Sequence, residues 1–439
     1  MPEFYLPQHV ADILNRLAEK GHVAYLVGGC IRDAIMGRQV HDWDIATSAA
    51  PVDVATIFPK TIMTGEKFGT VTVLTDGDTV EVTTFRVEGE YRDNRRPESV
   101  EFVSNLNEDL SRRDFTMNAM AISVARNLID PFDGIKDIEN RIVRCVGNPN
   151  KRFSEDALRM FRALRFRAQL GFKIEEGTLA AIYANADRAK LISAERVCVE
   201  LEKTLMSQRP EIAGEMIETG VLARYISTSK PGGTMSRLEK IKELPAEPTM
   251  RWCAFCAILQ KEGLIKSAPE FLNNLHLSVK TVKICSHALS VSEFPDNRTD
   301  VKRLFIRYGT DATCCAAALF DILPKRQIIG SKMNDKQGNR HSDKFPAERQ
   351  VDDSAASPES VEESSGRKEA FPCLTRVIEI ISSGECFSLQ KLVVSGNDLI
   401  TLGYSPGQEL GKRLNNLLDY VLEHPEDNTR EVLLKIVKK

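Results

Sequence analysis

The chain has 439 residues, enough for more than one domain, and its 42% hydrophobic content can fill substantial cores. A formal net charge of −3 excludes a globally basic nucleic-acid coat, so any RNA site has to be a local basic patch. The ten cysteines are scattered, several within apolar runs, which excludes a dense disulfide scaffold and suits a reducing cytoplasm. Cys253 and Cys256 have the spacing of a zinc half-site, but no second pair follows, so they read as two buried thiols on a helix. The first ten residues lack a basic-then-apolar leader pattern, and no apolar run reaches the length of about 18 residues needed to cross a membrane.

In chain order, the spacing predicts a helix over residues 8–20 and a short buried strand over 23–27. Gly28 and Gly29 follow, then a helix from Cys30 to Met36 that carries Arg32. Paired glycines between a strand and a helix let backbone approach a phosphate, although a plain strand-to-helix turn reads the same way. His41-Asp42-Trp43-Asp44 sets two carboxylates at i and i+2 on an extended segment, so both face one way. Such pairs hold divalent cations in phosphoryl transfer, because hard cations demand oxygen ligands; surface loops carry them as well. Residues 68–85 predict a hairpin around an Asp-Gly step, with Glu81 alternating against Val80 and Val82. Glu81 can complete an acidic triad with Asp42 and Asp44 or be a solvated strand glutamate.

Beyond residue 150 strand signals become sparse and helical spacing dominates. Asp156 and Arg159 stand three apart on a predicted helix, neighbours on one face, which read alone is an ordinary salt bridge. Arg162 and Arg165 follow on the same helix, within a stretch from Arg141 to Lys173 holding nine Lys or Arg against two acidic residues. Some of that local positive excess should face phosphates. Residues 334–370 are Ser- and Glu-rich and poor in large apolar side chains, the composition of a disordered insertion. Helical spacing then resumes to the end of the chain.

The stretch LVGGCIRDAIMGRQVHDWDIAT resembles the signature of the polymerase-β-like nucleotidyltransferases that act on tRNA 3′ ends and poly(A) tails, departing mildly at Cys30 and Ile31. Arg112-Arg113-Asp114-Phe115-Thr116 and Glu155-Asp156-Ala157-Leu158-Arg159 extend the likeness, which is dense over 21–205. Among these families the chain is most similar to the bacterial class II tRNA nucleotidyltransferases, which add C, C and A without a template. The resemblance implies an α+β fold: a nucleotidyltransferase head with a small mixed sheet, followed by an all-α neck, body and tail. It sets the head at 1–148, the neck at 149–205, the body at 206–333, the insertion at 334–370 and the tail at 371–439.

For the site, the resemblance implies Asp42 and Asp44 as ligands for Mg²⁺, with Glu81 the third acidic position. Gly29 and Arg32 would contact the incoming nucleotide, and Arg113 the triphosphate. Asp114 reads better as the N-cap of a following helix. Asp156, Arg159, Arg162 and Arg165 would form the nucleotide pocket. Cytosine and adenine both present an exocyclic amine beside a ring-nitrogen acceptor, so one Asp/Arg pair accepts both; uracil and guanine leave it unpaired. Implied partners are CTP, ATP and the tRNA acceptor arm, with the chain a monomer or homodimer. Residues 85–97 resemble the flexible loop of full CCA-adding members, and residues 65–71 also resemble CCA-adding enzymes more than poly(A) polymerases. The alternatives are a poly(A) polymerase, an enzyme adding only CC or only A, a metal-dependent hydrolase or a non-catalytic RNA-binding protein.

Overall fold

The structure is a computed structural model, and it describes residues 6–65, 69–75, 78–88, 100–103, 105–227, 234–323 and 371–438. The insertion expected at 334–370 and most of the loop expected at 85–97 lie outside the described residues. The chain divides into two compact units, 1–278 and 279–439, so the unit boundary falls within the segment read as the body.

The first unit begins with α1 (Gln8–Glu19), whose Val10, Ile13, Leu14 and Leu17 form one buried stripe at helical spacing. It packs on a seven-stranded mixed sheet. The strands in chain order are β1 (Ala24–Val27), β2 (Asp44–Thr47), β3 (Thr61–Gly65), β4 (Thr70–Leu74) and β5 (Thr79–Thr84). A short side pair, β6 (Arg86–Glu88) and β7 (Val100–Phe102), precedes β8 (Ala121–Ser123) and β9 (Leu128–Ile129). The sheet order is β3-β4-β5-β2-β1-β8-β9. The expected hairpin is β4 and β5, in antiparallel register from Thr70 opposite Thr83 to Leu74 opposite Thr79. Its alternation buries Val71, Val73, Val80 and Val82 on one face and leaves Thr70, Glu81 and Thr83 on the other. Those last three side chains border a large cavity.

After β9 the unit is largely helical. The helices that follow α1 in the chain are α2 (Gly29–Ile35), α3 (Pro51–Ile57) and α4 (Leu106–Ser111), before β9, and α5 (Gly134–Glu139), α6 (Pro149–Glu155), α7 (Leu158–Leu170), α8 (Glu176–Asn185) and α9 (Ala194–Leu205), after it. A later helix, Pro248–Lys261, is buried on all sides from Met250 to Leu259, as an all-round apolar helix must be. Cys253 and Cys256 sit on it fully buried, as expected of structural thiols. Its Arg251 donates to the carbonyls of Leu205, Ser207 and Leu244, tying the end of α9 to this central helix. None of the ten cysteines forms a disulfide.

The second unit is all helix among its described residues, with a core built from Val394, Leu399, Leu417, Leu418, Val421, Leu422 and Leu433. Lys302 is 1% exposed and pairs with Glu385 at 2.6 Å. Partial burial acts to raise the pKa of Glu385, but bonds from Lys302 and Arg298 hold it down at about 2. Asp321 accepts from the backbone N–H of Cys373 and of Leu374, capping the helix Pro372–Ser382 from the other side of the undescribed segment.

Candidate active site

The turn between β1 and α2 is shaped by one glycine. Gly28 has φ +83° and ψ −137°, a conformation that side chains rarely adopt. A Cβ at this position would stand 3.1 Å from Nη1 of Arg113 and 3.5 Å from Oδ2 of Asp44. Gly28 therefore lets an arginine and a carboxylate close over the backbone. Gly29, the glycine expected to matter, has only ordinary contact with Arg32. One turn into α2, Arg32 is buried: it donates to both carboxylate oxygens of Asp33 and, at 2.7 Å, to Oδ1 of Asn118, three of its five N–H donors.

Strand register gathers the carboxylates. Asp44 opens β2, opposite Val27 of β1 on one side and Glu81 of β5, in parallel, on the other. Asp42 lies just before the strand, exposed. All three line a cavity of about 680 Å³. Burial pushes the Asp44 carboxyl up to about 6; Arg113 opposes the shift, while Glu81 and Asp42 add to it. Among the described residues no three His, Cys, Asp or Glu side chains converge tightly enough to hold a metal ion by themselves. Two carboxylates still suit a hard cation that keeps several waters and takes further oxygens from substrate phosphates. The chemistry of the donor set therefore fits Mg²⁺ at Asp42 and Asp44.

The segment after α4 supplies the first cations. Asp109, fully buried, accepts from Arg112 at 2.6 Å and Arg113 at 3.1 Å. Burial acts to raise its pKa, but the two guanidiniums hold it below the usual carboxylate range. Nε of Arg113 is buried without a hydrogen-bond partner, and Nη1 points at the Gly28 turn. Asp114 is not the N-cap expected. The next element is a single 3-10 turn, Thr116–Asn118, capped by Phe115 without a side-chain bond. The Asp114 carboxylate instead accepts from Arg162 (2.7 and 2.6 Å) and from Nδ2 of Asn118. Burial acts to raise its pKa, but Arg162 and Asn118 bring it to about 2. Thr116 is anchored from behind by Asp137 at 2.7 Å, and Gly134 is needed there, because a Cβ would meet the Thr116 carbonyl at 2.4 Å.

The third group sits at a break in the helix. Asp156 and Arg159 do not share one helix face: α6 ends at Glu155, α7 starts at Leu158, and Asp156 has extended backbone between them. Its carboxylate accepts from the Leu158 N–H and from Arg196 of α9 at 2.7 Å. Arg159 pairs with Glu155 at 2.6 Å and donates to the Arg112 carbonyl. Arg165 is held by Glu200 at 2.5 Å and by Gln169 at 2.6 Å. Every predicted site residue lines the one cavity, yet Asp156 and Arg159 meet different partners. Arg196 and Glu200 escaped the sequence reading, although their spacing of four on an amphipathic helix puts both on one side of α9. Asp109, Asn118 and Phe166 were also missed. From the loop read at 85–97, only Phe85 to Glu88 are described, with Arg86 lining the cavity.

Residues 24–144 match the model of the poly(A) polymerase head domain, and 171–227 that of the probable RNA- and SrmB-binding site of polymerase A. The chain is 36% identical over 426 residues to a CCA-adding enzyme of Limosilactobacillus fermentum, covering 96% of this chain and 94% of that one. A Geobacillus CCA-adding enzyme is also 36% identical, over 97% of this chain and 95% of its own length. Among solved structures, the fold is similar to the Bacillus stearothermophilus CCA-adding enzyme in complex with CTP, with a TM-score of 0.73, 30% identity and coverage of 98% and 96%. It is also similar to the Thermotoga maritima CCA-adding enzyme complexed with tRNA, with a TM-score of 0.64 at 18% identity and coverage of 99% and 96%.

Proposed function

The chain belongs to the family of CCA-adding enzymes and adds C, C and A to the 3′ end of tRNA from CTP and ATP, and we propose that its 680 Å³ cavity performs the transfer with Asp42 and Asp44 as metal-holding carboxylates. The observation that carries this assignment is the shared lining. The strand carboxylates stand in one cavity with Asp156 and the arginines of α7, so reacting phosphate and base fit into a single nucleotide site.

Asp42 and Asp44 would hold Mg²⁺, which when bound activates the attacking 3′-hydroxyl and neutralises the triphosphate. Glu81, in register with Asp44, keeps this end of the cavity negative and attractive to a cation. Arg32 and Arg113 face the triphosphate, with Nη1 of Arg113 at the Gly28 turn. The backbone of Gly28 and Gly29 gives the phosphates close approach. Attack of the tRNA 3′-oxygen on the α-phosphate forms the new phosphodiester and expels pyrophosphate. At the other end, Asp156 accepts from Leu158 and Arg196, and a carboxylate has further lone pairs for the exocyclic amine of C or A. Arg159 and Arg162 complete the reading of the ring nitrogen, with Arg165 bracing them.

We assign the head to 1–148, the neck to 149–205, the body to 206–333 and the tail to 371–439, with the helical parts gripping the acceptor arm by shape and phosphate. No helix among the described residues is long and apolar enough to cross a membrane. Ten cysteines without a disulfide fit work in a reducing cytoplasm, as monomer or homodimer. The test is incorporation of labelled CTP and ATP onto tRNA lacking its 3′ end, with Mg²⁺. Two C and then one A are expected, and none from Asp42→Ala. Repeated A alone would make the protein a poly(A) polymerase and overturn the assignment.

A further inference from the structure

Phe166 is the ring on which the arginines of the cavity converge. It stands on α7, one residue after Arg165 and four after Arg162. Its centroid lies 4.0 Å from Cζ of Arg165, 4.9 Å from that of Arg32 and 5.4 Å from that of Arg162. The ring is 4% exposed, lines the cavity and meets Phe115 edge-on at 5.7 Å and 86°. Three like charges around one side chain repel unless something offsets them. Each has a carboxylate partner, Asp33 for Arg32, Asp114 for Arg162 and Glu200 for Arg165, and the ring is the element all three share. The negative face of a benzene ring attracts a cation within about 6 Å, more strongly where water is excluded. An aliphatic side chain of similar volume would fill the space without that attraction.

We infer that Phe166 is a positioning residue for nucleotide binding: its π face holds the guanidiniums of Arg32, Arg162 and Arg165 in place, coupling the triphosphate end of the site to the base end. Two of those arginines come from α7 and the third from α2, so the ring joins the helix that reads the base to the turn beside the carboxylates. The inference rests on the assignment of this cavity to CTP and ATP.

The test replaces Phe166 in the full chain by mono-, di- and trifluorophenylalanine, which drains the π face stepwise while nearly preserving shape. KM for CTP and for ATP should rise with each fluorine, about tenfold in total, with a smaller change in kcat and only a small fall in melting temperature. Phe166→Leu should show the same rise and more relative incorporation of UTP, while Phe166→Tyr stays within about twofold of the parent. A flat response to fluorination, or a Phe166→Leu protein that loses stability but keeps its KM, overturns the inference. If the parent itself adds no C or A, the assignment of the cavity fails instead, before any variant is compared.

Discussion

The sheet and helix α7 line the same cavity and handle charge in opposite ways. On the sheet, Asp44 is half-buried beside two other carboxylates, and its carboxyl is pushed up to about 6. On the helical side, Asp114 is buried, yet Arg162 and Asn118 bring its carboxyl down to about 2. Burial acts upward on both; the difference is the company each keeps. The sheet carries negative charge that the described side chains do not neutralise, which is the condition of a site awaiting a cation. The helix carries arginines already matched by Asp114, Glu200 and Glu155, which is the condition of a rigid surface that reads hydrogen bonds rather than net charge. On the assignment proposed above, one wall serves chemistry and the other recognition, and substitutions on the two should fail differently.

Asp44→Asn gives the largest expected effect and the sharpest form of the contrast. On the metal-holding role proposed for Asp44, it should abolish addition of C and of A alike, because losing a ligand would remove several kcal/mol of charge stabilisation, about 1000-fold in rate for about 4 kcal/mol. The same change should leave the metal-free protein as stable as the parent or more so, since it removes a half-buried charge that the fold disfavours. The measurements are single-turnover incorporation and thermal melting. A variant that melts well below the parent would show that Asp44 holds the fold together, and the sheet wall would then be structural rather than poised for a cation.

Asp114→Asn should do the reverse. Breaking this half-buried pair removes the carboxylate that binds Arg162, at a cost of about 2 kcal/mol near neutral pH. The sign of the shift sets the pH dependence. The folded carboxyl titrates at about 2, below its ordinary value of 3.8, so its stabilisation is present above about 4 and is lost as pH falls towards 2. Urea unfolding of parent and variant should therefore differ most at neutral pH and converge in acid. A constant difference across that range would mean that the pair adds packing and no electrostatic stability.

The sequence made the sheet wall legible and left much of the helical wall hidden, for a physical reason. Alternation of Val and Thr along β4 and β5 is local, so the hairpin and the facing of Glu81 could be read directly. The parallel register that sets Glu81 beside Asp44 joins strands 37 positions apart in the numbering of the pair, and no local pattern encodes it. Asp114 and Asp156 were misplaced because local rules see only what lies within a few residues. Their partners, Arg162 and Arg196, lie 48 and 40 residues away. Gly28 was likewise visible as one of a pair, but only the approach of Arg113 and Asp44 shows which glycine cannot be replaced.

Arg196 offers the smallest effect and the finest division between the walls. Its guanidinium holds Asp156 at 2.7 Å, and both side chains are partly exposed, at 24% and 17%. A pair so placed contributes little to stability, about 1 kcal/mol or less, so Arg196→Met should melt close to the parent. The consequence should fall on selectivity instead. If Asp156 reads the amine of C or A as proposed, loss of Arg196 leaves its carboxylate unfixed and should weaken the rejection of uracil. Competition between CTP and UTP should show the C-over-U preference reduced about tenfold, roughly 1.4 kcal/mol, with the rate of C addition reduced less. Should the preference survive while both rates fall together, Asp156 would be acting on the triphosphate end, and the division of labour between sheet and helix would need to be redrawn.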